Sequence, residues 1–459
     1  MSTRALLWLS AAVLLCLWRP AAAQATPPCL ASASWFSNPS FPTEVANGLD
    51  ADNCDFHQMA WQAFIDVVQP ANGNPGQRTF ETWMPDYGIF VPAGTPVTPW
   101  GEQPGAPCLA ASADPKAAAN RLFLRPRVPK ANGFDPDSNQ QATGNPLYDQ
   151  DKQVVYYSIW VNQTEYNFIT QCDFNNTTCV TSAPATAAIT PGAVEIKGSW
   201  RVFKDKAPTD MYTIQGVVGD TCQPVTLGLV GFHLVMNTPL HPEFIWATFE
   251  HKSNAPDCTN PQKAPAGGWS FNNPGCQGSG CTPNQPNVNP TQVCRVAAQG
   301  GGSASNVANI KSLNDSVHLT LKKLLTTALA KYGAMQVWLN YEMTGNLWTV
   351  NGALPPSSTN EAGSLLDANT TLETFIQGPN TQGANQNCFT CHTQQQFVTS
   401  KGVAKGFPNG APANLSHLWG FAQQTGGCNN GQGPLPAMCP LNNAQAKPKK
   451  PVDKAAEKK

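Results

Sequence analysis

Fifteen cysteines in a chain of 459 residues, set among 41 prolines and 37 glycines, limit this fold more than any hydrophobic pattern does. Cys16 lies in an N-terminal apolar stretch, and Cys388 and Cys391 belong to a motif of their own, which leaves twelve, an even number. In an oxidising compartment twelve cysteines are most simply six disulfides. Short spacings suggest Cys172 with Cys179, Cys276 with Cys281 and Cys428 with Cys439, although spacing does not fix connectivity. Zinc is the competing reading, but outside residues 388–391 no cysteine pair has the CxxC spacing of a zinc site. The prolines, glycines and long Asn/Gln/Thr-rich stretches favour strands joined by polar loops over a helical bundle.

The chain opens with an export pattern. Arg4 supplies a positive charge, Ala5 to Trp18 is apolar, and Ala21, Ala22 and Ala23 offer a small-residue cleavage site, so residues 1–23 read as a secretory signal peptide. The apolar stretch falls short of the ~20 residues of a membrane span. Nothing later is longer or more apolar, so no membrane span is expected in the mature chain. A bacterial periplasmic or secreted location follows. Charged residues make up 12% and the net charge is -1, which leaves no footprint for nucleic acid.

Periodicity assigns a helix to residues 56–68, where Met59, Ala60, Phe64 and Val67 recur at helical spacing. Strand patterns cover 78–83, 154–161, 193–203 and 211–218, then a hairpin of 226–236 with 244–251 around the Pro-rich turn 237–242. Strict alternation puts Leu227, Leu229, His233 and Val235 on one face, and Val230, Phe232, Leu234 and Met236 on the other. Residues 254–305 read as a long loop pinned by disulfides. A helix is expected over 314–332, with Asn314 as its N-cap and Gly333 at its end. Residues 354–360 form a linker, and the charged tail 446–459 has the composition of a disordered segment. The expected class is α+β: a strand-dominated large domain (24–360) followed by a smaller helical and loop-rich haem region (361–445).

The chemistry is concentrated in Cys388-Phe389-Thr390-Cys391-His392. Two thiols three positions apart can each form a thioether with one vinyl group of a haem, and the adjacent histidine then lies under the iron as proximal ligand. From composition, roughly 0.007 such patterns are expected by chance. A thioredoxin-like redox pair needs a strand before the motif, and residues 378–387 are a polar loop instead. One covalent haem c is therefore the expected cofactor, bound by Cys388, Cys391 and His392.

The chain also resembles a family of large, mostly uncharacterised bacterial cytochrome c proteins with a single C-terminal CxxCH motif. The resemblance rests on residues 61–64, 80–83, 227–233, 244–251, 369–375 and 415–417, together with the motif, and covers roughly residues 54–420. It implies haem binding and electron transfer with a redox partner protein that it does not identify.

The ligand facing His392 across the iron decides between functions. A methionine raises the potential, a second histidine lowers it, and an open position permits ligand binding or catalysis. His417 is the leading distal candidate, because a Gly/Pro/Asn-rich loop lets it fold back. Met438, His251 and His233 are the others, while Met335, Met343, Trp61, Trp83, Trp246 and Trp338 read as core. Electron transfer is the first reading, since no catalytic constellation declares itself. A haem-dependent oxidoreductase and a small-ligand sensor with an open iron site are the alternatives.

Overall fold

A computed structural model describes residues 28–113, 116, 121–124, 145–297, 299–377, 387–398, 404–423, 426–428 and 439. Residues 1–23, read above as a signal peptide, the tail 446–459 and Met438 lie outside them. The centre of the molecule is a nine-stranded sheet. Its strands are β1 (Met84–Pro85), β2 (Leu122–Leu124), β3 (Tyr156–Val161), β4 (Val194–Phe203), β5 (Thr213–Val218), β6 (Gln223–Met236), β7 (Ile245–His251), β8 (Tyr341–Thr349) and β9 (Glu361–Gly363). The order is β9-β8-β7-β6-β4-β3-β1, antiparallel throughout, with β5 beside β6 and β2 added parallel to β5. β6 is long enough that its first half pairs with β5 and its second half with β7 along one edge, while β4 runs along the other. The class is α+β, with this large antiparallel sheet and helices packed on it.

One face of the sheet is covered by helices α1 (Asn53–Val67) and α3 (Ala304–Thr327). Trp61, Phe64, Ile310, Leu313, Val317 and Leu321 pack there against Trp200, Phe232 and Phe249. The other face carries α2 (Gln163–Gln171), the disulfide-pinned loop and the residues after 363, in a second cluster that joins Phe168, Trp246, Phe389, Phe407 and Trp419. The residues around the motif thus share a core with the sheet.

Four expectations need correction. Residues 79–82 form a 3-10 turn after a short strand ending at Arg78, because the turn closes on itself through Arg78 N donating to Glu81. The long helix starts ten residues earlier than expected. Ser303, not Asn314, is the N-cap and accepts from Asn306 N; the stripe of Ile310, Leu313, Val317 and Leu321 runs on unbroken from there. Asn314 instead ties two layers together, its amide accepting from Trp61 Nε1 (2.9 Å) and donating to Met343 O (2.9 Å).

The third correction concerns β6. Ser199 pairs with Gly231 but Trp200 pairs with Leu229, so Val230 is an extra residue, a β-bulge. A bulge inverts the alternation beyond it. Leu227 and Leu229 therefore share the helical face with Phe232, Leu234 and Met236, while Val230 and Val235 join the opposite cluster. The bulged backbone stays satisfied: Val230 O accepts from Asn254 Nδ2 (2.7 Å) and Leu229 O from Tyr341 Oη (2.8 Å).

The fourth concerns the disulfides. Cys276–Cys281 forms as expected, but Cys172 pairs with Cys439 and Cys179 with Cys428. Their sequence separations of 267 and 249 clamp the C-terminal residues onto the α2 region. Cys29–Cys54, Cys108–Cys222 and Cys258–Cys294 complete six. Six disulfides are characteristic of an oxidising compartment. Among the described residues no helix is long and apolar enough to cross a membrane.

Two histidines in the helical layer are held neutral. His57 Nε2 donates to Asn306 Oδ1 (2.7 Å), and His318 Nε2 donates to Tyr341 O (2.8 Å) while its Nδ1 faces Lys252 Nζ (3.3 Å). Burial, aided at His318 by Lys252, pushes both down to about 4. Between pH 6.5 and 4 the unfolded chain takes up protons that the folded chain refuses, so stability falls on acidification through that window. A His57→Gln/His318→Gln variant is expected to lose much of the decline in Tm between pH 6.5 and 5; an unchanged decline in scanning calorimetry would contradict this assignment.

Candidate functional site

Below the bulge, the second face of the sheet is polar where it meets the chain leading to the motif. Glu195, Lys197 and Ser199 of β4, His233 of β6, and Thr248 and Glu250 of β7 alternate with side chains of the opposite core, and all but Glu195 are buried. The segment Asp367 to Phe375 lies on this surface. Asn369 donates to Thr248 Oγ1 (2.8 Å) and Phe249 O (3.2 Å), and its own Oδ1 accepts from Thr371 N (2.9 Å) and Leu372 N (3.2 Å). Thr371 Oγ1 meets Ser199 Oγ at 2.7 Å. The sheet makes room with glycines. A Cβ on Gly231 would lie 2.3 Å from Thr371 Oγ1, and one on Gly345 would lie 1.8 Å from Asp367 Oδ2.

Glu250 anchors the same segment. It accepts from Thr370 N (2.7 Å), from the Thr370 hydroxyl, and from Arg295 Nη1 (3.1 Å) and Nη2 (2.9 Å). The Glu250 carboxylate raises the already high Arg295 pKa against the effect of burial. Beside them, burial together with Glu250 and Glu373 pushes Asp367 up to about 8, and Arg295 opposes the shift. His233 Nε2 and the Glu373 carboxylate pair at 2.9 Å.

The motif forms one helical turn, α4 (Cys388–Cys391), which places its two cysteines on one side. Asn387, just before the turn, donates to Glu361 Oε2 (2.9 Å) and so ties it to β9. Both thiols are partly exposed and belong to none of the six disulfides. His392 is 5% exposed, and its Nδ1–H donates to Leu415 O at 2.6 Å. That carbonyl is held by a rigid turn: Asn414 exchanges hydrogen bonds with the Phe407 backbone (2.8 and 2.9 Å), and Trp419 Nε1 donates to Ala413 O (2.6 Å). Donation from Nδ1 fixes the imidazole tautomer and assigns the lone pair to Nε2, the nitrogen that would ligate a metal.

The donor set fits a covalently attached haem: two partly exposed thiols on one turn, and a tautomer-locked histidine beside them. The surroundings of His392 are tight. The His417 ring stacks on it (centroids 3.8 Å, planes 20° apart) and Trp246 packs at 4.3 Å. His417, the leading second-ligand candidate, is thus a face-to-face packing partner of His392 in this arrangement. Among the described residues, two small hollows that touch His392 measure about 10 and 40 Å³.

The sequence candidates separate accordingly. His392, His417 and His233 all border the larger of these hollows. His251 does not belong there: it shares its face of β7 with Ile245, Ala247 and Phe249, and bonds Asp210 O (3.1 Å) and Ser253 (2.7 Å). Met335 and Met343 are buried in the helical layer, as expected of core residues. Trp246 is buried too, but against His392. Glu195, Lys197, Asp367 and Glu373 escaped the sequence reading. An apolar strand interrupted by charges at alternate positions, as at Glu195 and Lys197, was the available signal. Comparison with protein-family models, curated proteins and solved structures yields no match, so the chemistry rests on these residues.

Two substitutions test the docking of the motif-bearing segment. Gly231→Val is expected to destabilise the protein by about 1–3 kcal/mol through overpacking against Thr371. Glu250→Gln leaves buried Arg295 with only the longer Asp257 contact (3.8 Å) and is expected to cost about 3 kcal/mol. Chemical denaturation measures both, and losses below ~0.5 kcal/mol would show that the segment is not held as described.

Proposed function

We propose that the chain is an exported c-type cytochrome with one covalent haem that mediates electron transfer, in line with its resemblance to large single-haem bacterial cytochromes. The observation that carries the reading is the turn Cys388–His392. Cys388 and Cys391 sit on one helical turn with partly exposed thiols, and the next residue is a buried histidine whose tautomer suits iron. Cys388 and Cys391 would hold the haem and His392 would be its proximal ligand. The bound haem supplies one-electron chemistry. The chain's own contribution would be to bury His392 against Trp246, which also packs on Phe389, and to orient it through Leu415. His417, which packs on His392, would be the candidate second ligand. The signal sequence and the disulfides support a periplasmic or secreted location.

A second reading, a haem-dependent oxidoreductase or small-ligand sensor, has one observation in its favour. His233, paired with Glu373, shares with Lys197 and Glu195 the hollow that reaches His392. Ionisable groups gathered beside a redox centre are where proton chemistry is set.

Expression with a c-type maturation system should yield haem that stays with the polypeptide on a denaturing gel, and Cys388→Ala/Cys391→Ala should lose it. A ferric spectrum that is low-spin and unmoved by cyanide is the expected outcome, with His417→Ala converting it to a cyanide-sensitive form. A high-spin wild type that binds cyanide would favour the second reading. Complete absence of haem would overturn both.

A further inference from the structure

Eight large apolar side chains are exposed among the described residues, and three of them come from separate segments to one place. Leu49 (48% exposed), Leu240 (37%) and Val350 (52%) sit on the turns at 48–50, 238–242 and 350–352. The turns are fastened together. Glu44 accepts from Thr238 Oγ1 (2.9 Å) and Leu240 N (2.9 Å), and a Cβ on Gly48 would lie 3.2 Å from Leu240 Cδ1. The rim beside Leu49 is acidic: Asp50 and Asp52 are exposed and Glu44 and Asp55 half-buried, and residues 28–77 contain no lysine or arginine.

Behind the patch lies a continuous file of rings and hydrogen bonds. Trp348 stacks on Phe56 at 3.9 Å, and Phe56 meets the His241 ring edge-on at 5.0 Å. His241 Nδ1 donates to Glu243 Oε1 (2.9 Å), and Glu243 O accepts from Trp246 Nε1 (3.1 Å). The Trp246 ring then packs 4.3 Å from that of His392. The file passes around the end of the sheet, through the β6–β7 turn, and joins the motif on one face to the patch at the other. Electronic coupling decays far less steeply through packed and bonded atoms than across gaps, so such a file favours one point on the surface as an electron port.

We propose that the Leu49–Leu240–Val350 patch is the docking surface for a basic electron-transfer protein, one that presents lysines around an apolar rim. The proposal rests on the electron-transfer reading given above. One electron crosses between the two proteins, one centre being oxidised as the other is reduced, and no bond forms or breaks. A small apolar centre with a charged rim suits the short-lived encounters of redox partners, which bury less than ~1,200 Å². Charge of one sign speeds their association and makes it salt-sensitive.

The test uses the haem-loaded full-length protein and a lysine-rich ferric cytochrome c as probe, with binding measured by titration calorimetry at low ionic strength. Leu49→Ser/Asp50→Lys should weaken binding about tenfold or more and flatten its salt dependence. Asp205→Lys, at the opposite end of the sheet, should bind like wild type, and both variants should keep the wild-type Tm and absorption spectrum. Wild-type affinity in Leu49→Ser/Asp50→Lys, or no binding by the wild type at low salt, would overturn the docking surface. Failure to incorporate haem would instead count against the proposed function, so the two failures are distinguishable.

Discussion

A single buried carboxylate, Glu250, joins the three parts of the second face. It belongs to β7, receives both terminal nitrogens of Arg295 from the disulfide-pinned loop, and receives the backbone and hydroxyl of Thr370 from the chain leading to the motif. A buried ion pair rarely adds much net stability over an apolar replacement, but removing one partner is costly. Its value here is positional. Five hydrogen-bonding groups converge on two oxygens, counting Asn254 at 3.4 Å, and they fix where the segment 367–375 lies along the sheet. The turn of Cys388–Cys391 and His392 follows from that placement.

The bulge at Val230 sets what that segment meets. Without the extra residue, His233 and Val235 would point into the helical layer and Phe232 and Leu234 toward the motif. With it, the histidine lies on the motif side, where it meets Glu373, and the large apolar residues stay under α1 and α3. Local irregularity in a strand is commonly associated with function for this reason: it re-aims side chains without breaking the sheet. Gly231, next to the bulge, gives the docked segment its room.

The two faces of the sheet then divide the work. The helical face is apolar and ring-packed, with Phe64 between Phe232, Phe249 and Trp338. The other combines an apolar cluster with buried ionisable groups that are held by partners: Arg201 with Asp149, Arg295 with Glu250, His233 with Glu373. Long-range disulfides hold the C-terminal part against this face, where hydrogen bonds between loops alone would leave it free to open.

The sequence by itself determined the class of fold, most strand positions and the local spacing of Cys388, Cys391 and His392. These depend on local alternation, Pro-rich turns and spacing along the chain, as at 223–251 and 388–392. It also determined that twelve cysteines would be paired. Only the tertiary structure decided which cysteines met, because Cys172 and Cys439 are neighbours only after the chain has closed on itself. The same holds for the face on which His233 lies, since one inserted residue inverts the alternation beyond it. It holds too for Trp246, which reads as core from its neighbours and is placed against His392 by the sheet. Period and spacing are properties of short windows, whereas bulges, disulfide partners and stacked rings are settled by contacts between segments far apart in the chain.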